Sequence, residues 1–325
     1  MTSSLKLKPA RRFEFIDLGP QQESFERAVL AGLAQPHKSV PCRFLYDARG
    51  SALFDHICDL PEYYLTRTET QILRDNAAAI AGWIGPDACL AELGSGSSVK
   101  TRIVLHALDR PAAYVPIDIS REHLRAAALN LAAEHRELDI VAICADYSEP
   151  FDLPALGRRR IAFFPGSTIG NLDEAEALAL LRAWRTRLGP GGGMIIGADL
   201  HKDAAILEAA YDDSAGVTEA FIKNILVRIN AELGADIDPA AFAYAARFND
   251  AASRVEMHLR SKRAQTLRVA GRSIALDESE RIHIENSRKF TLEGLRALAA
   301  DAGFRVDRVC CDADALFSVQ LWSAA

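Results

Sequence analysis

The sequence predicts an α/β fold: a mostly parallel sheet covered on both faces, closed by a C-terminal antiparallel hairpin, with an inserted α+β domain. Three observations predict it. Apolar, strand-like runs alternate with amphipathic helical stretches through the middle of the chain. The last helical stretch is followed by two strand-like runs close enough to pair antiparallel. About ninety patterned residues separate the fifth apolar run from that last helix, where a simple crossover needs roughly a dozen.

The elements follow in order. CLAELG (89–94) ends in a glycine-rich turn, and AAYVPIDIS (112–120), IVAICADY (140–147), RRIAFFPGSTIGN (159–171) and GGMIIGADL (192–200) come after it. Between them KTRIVLHAL (100–108), REHLRAAALNLAAEH (121–135) and DEAEALALLRAWRTRL (173–188) carry helical spacing, the last closed by Gly189-Pro190-Gly191. Near-continuous apolar strands separated by amphipathic helices indicate parallel strands buried on both faces. LEGLRALAADAGF (292–304) reads as a helix ending at Gly303, and RVDRVCCD with FSVQLWSA as the hairpin. The long connection holds a helical stretch (204–233) and strands within 254–271 and 280–290. We therefore divide the chain into a sheet domain, 68–202 with 290–325, and a substrate-binding domain, 1–67 with 203–289.

Composition removes several function classes. The 325 residues are 49% hydrophobic and 25% charged, an ordinary soluble balance. A formal net charge of −6 argues against a nucleic-acid partner. Arg11, Arg12 and the arginines at 158–160 sit beside acidic stretches and read as solvated faces. No leader-like apolar segment opens the chain, and no run approaches a membrane span. Cys42, Cys58, Cys89, Cys144, Cys310 and Cys311 form no CxxC pair, and the eight histidines lack metal-ligand spacing. The expectation is a cytoplasmic protein with no metal site.

ELGSGSS (92–98) lies at the carboxyl end of the first parallel strand, where open α/β sheets bind ligands. Gly94 and Gly96 let backbone approach a ligand closely. The third glycine of GxGxxG is missing, since position 99 is Val99, which weakens a dinucleotide reading. Asp118 ends the second strand, where a carboxylate can accept from both ribose hydroxyls of an adenosyl group. Asp146 and Tyr147 end the third, placed to accept from an adenine amine and to flank its ring. Lys100 follows the glycine turn, placed to pair with the methionine carboxylate of S-adenosylmethionine (SAM). With Glu92 before the glycines and the terminal hairpin, the pattern is that of class I SAM-dependent methyltransferases. Strand-end aspartates that merely cap turns are the alternative, and a nicotinamide-dependent oxidoreductase is the competing enzyme class.

FLYDARGSALFDHICDLPEYYLTRTE (44–69), FFPGSTIGN (163–171), AYDDSAGVT (210–218), RVEMHLRS (254–261) and IENSRKF (284–290) resemble the L-histidine N-α-methyltransferases of ergothioneine biosynthesis. The similarity runs from about residue 20 to the end of the chain. It implies trimethylation of the α-amine of L-histidine to hercynine, through the mono- and dimethyl forms, by a monomer. In that family an N-terminal segment and the inserted domain together build the substrate pocket. The resemblance implies that Asn171 holds the α-groups with help from the Gly166 carbonyl. Tyr63 and Tyr211 would donate to the substrate carboxylate, and Glu285 and Ser287 would bond the imidazole. Leu65 stands where the family often has proline, a change expected in a loop.

Read from the residues alone, Glu285 and Ser287 share one strand face with His283, so His283 is an alternative partner for Glu285. Asn286 points away and is expected to serve only through its backbone. Phe54 and Met257 are candidate apolar walls, and Tyr46 is placed beside the amine as a group that tunes proton loss. Asn171 and Tyr46 are thus the expected catalytic residues. A related chemistry on another amino acid or amine is the runner-up.

Overall fold

A computed structural model describes residues 13–20, 25–96 and 99–325. Arg11, Arg12 and the turn residues Ser97 and Ser98 lie outside the described residues. The strands are β1 (Phe13–Asp17), β2 (Ala88–Leu93), β3 (Ala113–Asp118), β4 (Asp139–Cys144), β5 (Arg159–Phe164), β6 (Gly193–Asp199), β7 (Phe242–Asn249), β8 (Arg254–Ser261), β9 (Gln265–Val269), β10 (Arg272–Leu276), β11 (Arg281–Arg288), β12 (Phe304–Cys311) and β13 (Phe317–Ala324).

Eight of them form one sheet in the order β1-β4-β3-β2-β5-β6-β13-β12. The first six positions are parallel, and β13 runs antiparallel between β6 and β12. The five expected parallel strands and the terminal hairpin are all present. The strand order reverses between β2 and β5, so a crevice opens outside the carboxyl ends of those strands. Every residue of β2 and β6 is buried, which is why both read as continuous apolar runs. Helix Glu174–Leu188 starts at Asp173, whose carboxylate accepts from the Glu176 N–H while Glu176 returns the bond. With Leu292–Asp301 it covers one face through Leu181, Trp184 and Leu295. The other face packs against helices Tyr64–Asp75, Ala77–Ile84, Val99–Ala107 and Arg121–Glu134.

The insertion contains the antiparallel sheet β11-β8-β7 and the hairpin β9–β10. The single helical stretch expected over 204–233 is two helices, Ala204–Tyr211 and Val217–Leu233. Asp213 lies in the break between them, and its carboxylate accepts from the first two N–H groups of the second helix, Val217 and Thr218, at 2.9 and 2.7 Å. Strands β1, β7 and β10 were not legible: β1 and β10 are five residues each, and β7 (FAYAARFN) is alanine-rich, a composition that favours helix.

Two placements differ from the proposed division. The strand β1 falls in the 1–67 segment assigned to substrate binding, yet it pairs with β4 in the main sheet. The boundary at 67/68 falls inside helix Tyr64–Asp75. Leu65 is therefore in the first turn of a helix and 3% exposed, not in a loop. The first helical turn is also where proline is tolerated.

The turn after β5 is a 3-10 helix, Thr168–Asn171, wedged against β11. A Cβ on Gly170 would lie 2.8 Å from the Arg288 carbonyl oxygen, which is backbone and cannot step aside. We expect Gly170→Ala to destabilise the fold by about 1–3 kcal/mol, read as a lower urea midpoint at unchanged m-value.

Candidate active site

The expected ligand residues gather at the carboxyl ends of the parallel strands and on the facing sheet of the insertion. Gly94 and Gly96 follow β2; a Cβ on Gly96 would meet nothing within 4 Å, and one on Gly94 only the Tyr147 ring edge at 3.9 Å. This is an open cradle with an aromatic flank. Asp118 accepts from the Ser120 N–H at 2.8 Å, and Asp146 from the Ser148 N–H at 2.9 Å. Burial, opposed by the Ser120 N–H, holds the Asp118 carboxyl above its ordinary range. The Ser95 hydroxyl, inside the glycine turn, is buried and has no partner among the described residues. An open backbone cradle, an orphaned hydroxyl, two strand-end carboxylates and an aromatic edge fit a nucleoside-bearing ligand such as SAM.

Glu92 does a different job. Its buried carboxylate accepts from Thr101 at 2.7 Å and from the Tyr114 hydroxyl, tying β2, β3 and the following helix together. Burial pushes its pKa up to about 7.

Lys100 has a protein partner: its ammonium bonds Glu69 Oε2 at 2.5 Å. Glu69 is fully buried and also accepts from the Gly166 N–H at 3.1 and 2.9 Å. A Cβ on Gly197 of β6 would lie 2.0 Å from Glu69 Oε1, so that glycine makes the room for the carboxylate. Glu69 thereby joins one expected cofactor residue to one expected substrate residue.

The substrate set is contiguous. Asn171 Nδ2 donates to Glu285 Oε1 at 2.9 Å. Tyr211 and Ser287 share a hydrogen bond of 2.8 Å. Met257 lies directly across from Glu285 in the β8–β11 ladder, on the same face. Aromatic rings close the rest in a chain of edge contacts: Tyr46 with Phe54 at 5.6 Å, Phe54 with Tyr63 at 6.4 Å, and Tyr63 with Tyr211 at 6.0 Å. Burial, then the nearby Glu285, raise the Tyr46 phenol well above its usual pKa, so it stays protonated. Burial, then Glu285, raise the Cys42 thiol above its ordinary pKa, and burial, then Cys42, do the same for the Tyr147 phenol.

Two expectations about β11 are corrected. The ladder with β8 shifts register between His283 and Glu285, a bulge that reverses which face follows. His283 therefore points away from Glu285 and meets Asn286 Oδ1 at 2.8 Å and the His258 ring at 5.1 Å. Asn286 accordingly contributes its side chain on the outer face, not only its backbone. Glu285 bonds Asn171 instead, and burial, opposed by Lys289, pushes its pKa up to about 7.

Residues with no assigned role complete the site. Lys289 Nζ, with no exposed side-chain surface, bonds Asp199 Oδ2 at 2.6 Å, Tyr211 at 2.8 Å and Ser287 at 2.9 Å. Asp199 also accepts from Tyr64 at 2.8 Å and from Lys202 at 2.6 Å. Signals for them existed. Lys289 continues the period-two series Glu285, Ser287, Asp199 ends a strand as Asp118 does, and Glu69 lies four residues from Leu65 and Leu73 on a helix's apolar face. Among the described residues no group of three or more His, Cys, Asp or Glu is arranged to hold a metal, and no helix is long and apolar enough to cross a membrane.

The model of a family described as histidine-specific methyltransferase, SAM-dependent, matches residues 25–324. A histidine N-alpha-methyltransferase of Mycolicibacterium smegmatis is 44% identical over 289 residues, 87% of this chain and 89% of that protein. One of Mycobacterium tuberculosis is 40% identical over 303 residues, 92% and 94% of the two chains. Ergothioneine biosynthesis protein 1 of Neurospora crassa is 34% identical over 204 residues, 61% of this chain and 23% of that one.

The raised pKa of Glu285 has a signed consequence. Between the ordinary 4.5 and about 7 the folded state keeps a proton that the unfolded chain releases, so stability falls as pH rises through that window. We expect Glu285→Gln to relieve this, gaining up to about 3 kcal/mol over the parent at pH 8 and nothing near pH 4. Urea titrations across that range measure it; Glu92 leaves a residual slope in both proteins.

Proposed function

Because the chain belongs to the histidine-specific, SAM-dependent methyltransferase family, we propose that it methylates the α-amine of L-histidine three times, yielding the betaine hercynine of ergothioneine biosynthesis. The observation that carries this reading is the bond from half-buried Asn171 to the buried Glu285 carboxylate, beside the buried Tyr211–Ser287 pair. A carboxylate in a water-poor pocket demands an N–H partner from its ligand, because a ligand without one leaves a buried acceptor unpaired. An imidazole supplies that N–H.

SAM, when bound, supplies an electrophilic methyl on a sulfonium whose charge disappears on transfer. Gly94, Gly96, Lys100, Asp118, Asp146 and Tyr147 are the residues that would hold it. On the substrate side, Asn171 and the Gly166 carbonyl orient the amine, Tyr63 and Tyr211 take the carboxylate, and Glu285 with Ser287 takes the ring. Orientation is a large share of the rate for such an in-line displacement. An α-amine is mostly protonated near neutral pH, and the attacking nitrogen needs its lone pair. Tyr46 remains a neutral phenol in this setting, so its part in proton loss is that of a hydrogen-bond acceptor or relay, not a phenolate base. Phe54 and Met257 keep water out and leave apolar room for successive methyl groups.

We place the enzyme in the cytoplasm as a monomer without nucleic-acid or membrane partners. The six unpaired thiols suit a reducing compartment, and the net charge of −6 disfavours polyanions.

The test is purified protein with SAM and the twenty amino acids, followed by mass spectrometry. Histidine alone should gain methyl groups, ending at three; gain on another amine would remove the imidazole assignment and leave the SAM site standing. Asn171→Ala should lower kcat/KM for histidine by on the order of ten- to a hundredfold, measured by initial rates. Tyr46→Phe should slow the reaction and raise the mono- and dimethyl share of product; an unchanged rate and product ratio would remove its role.

A further inference from the structure

A lysine with no exposed surface stands directly behind the pocket. The ammonium of Lys289 has three hydrogens and no lone pair, and three oxygens surround it: Asp199 Oδ2, the Tyr211 hydroxyl and Ser287 Oγ. Each hydroxyl therefore spends a lone pair on Lys289. The two hydroxyls also bond each other at 2.8 Å, and that bond uses the hydrogen of only one of them. The other hydrogen has no acceptor within this group and is left for the pocket. Removing the ammonium would free both lone pairs and let the hydroxyls turn.

The charges point the same way. Lys289 and Lys202 both bond Asp199, at 2.6 Å each. Asp199 is locked from its other side by Tyr64, and its backbone N–H is tied to Ser167 at 2.9 Å. Lys289 brings its own positive charge directly against the Tyr211–Ser287 pair, and low dielectric lets that charge act on a ligand beyond it. An anionic group is the complement.

We propose that Lys289 is a specificity-determining positioning residue: by holding Tyr211 and Ser287 as acceptors from behind, it aims a single hydroxyl hydrogen into the pocket to meet the carboxylate of an amino-acid substrate. This rests on the methyltransferase reading above and deepens it, since it makes the free carboxylate a requirement. If Tyr211 gives that hydrogen, Ser287 donates to Tyr211 and offers a ligand only a lone pair. Ser287 is then an acceptor of a ring N–H.

The test compares L-histidine with L-histidine methyl ester, which keeps the amine and the imidazole and lacks the anionic carboxylate. Initial rates with saturating SAM give kcat and KM for each, and calorimetry gives SAM binding separately. The parent enzyme should prefer histidine, and Lys289→Met should shrink the ratio of kcat/KM values by on the order of ten- to a hundredfold, chiefly through KM for histidine, with SAM binding kept. A variant that loses activity on both substrates equally would overturn the proposal, because a merely structural lysine has no reason to distinguish them. Should Lys289→Met not fold, Lys289→Gln, which keeps an amide donor there without the charge, decides by the same ratio: a shrunken preference supports the proposal and an unchanged preference overturns it. Failure of the parent enzyme to methylate either compound would instead count against the function itself.

Discussion

A buried ammonium needs three acceptors, and satisfying that requirement at Lys289 organises the substrate half of the site. Desolvating such a charge costs several kcal/mol unless it is paired and fully hydrogen-bonded. Asp199 brings the countercharge from the end of β6, Tyr211 comes from the end of helix Ala204–Tyr211, and Ser287 lies near the end of β11, which the lysine follows. The sheet domain and the insertion therefore meet, among other contacts, through a polar cluster in which the ammonium has three acceptors. Tyr64 and Lys202 complete it from the Asp199 side, and the geometry of Tyr211 follows from the arrangement.

The cofactor half is governed by a second buried charge. Glu69 has no exposed surface, and its oxygens are shared between the Lys100 ammonium and the Gly166 N–H. A carboxylate placed there holds the start of the helix after β2 against the turn after β5. It does so only because position 197 lacks a Cβ. The two buried charges differ in what they support: one orders Tyr211 and Ser287, proposed to face the amino acid, and the other orders Lys100 and Gly166, proposed to lie where cofactor and amine meet. Glu285 stands between these regimes. Its pKa near 7 reflects a desolvated carboxyl with one amide donor, which suits a group that completes its bonding with a ligand N–H.

The residues that specify this site come from segments far apart in the chain: 42–69, 92–118, 146–171 and 199–289. The inserted three-stranded sheet is what makes the pocket two-sided. It lays Glu285, Ser287 and Met257 on one face opposite the loop that carries Asn171. The aromatic chain from Tyr46 to Tyr211 runs beside this face.

Much of this was legible in one dimension. Parallel strands buried on both faces must be continuously apolar, so β2 to β6 announced themselves, and strand-end acids with a glycine turn marked a candidate ligand crevice. Long strings such as GSTIGN carried the family and with it the reaction. Other features needed the third dimension. The His283–Glu285 relation looked like a shared face, since alternation is strict in a regular strand; one extra residue in the ladder reversed it. The short strand β1 is held by β4, not by its own propensity, so no local pattern announced it. Lys289 lay in the right phase, yet its role depended on Asp199, ninety residues earlier. Spacing along the chain decides which way a side chain points; only packing decides what it meets there, and a buried charge is defined by what it meets.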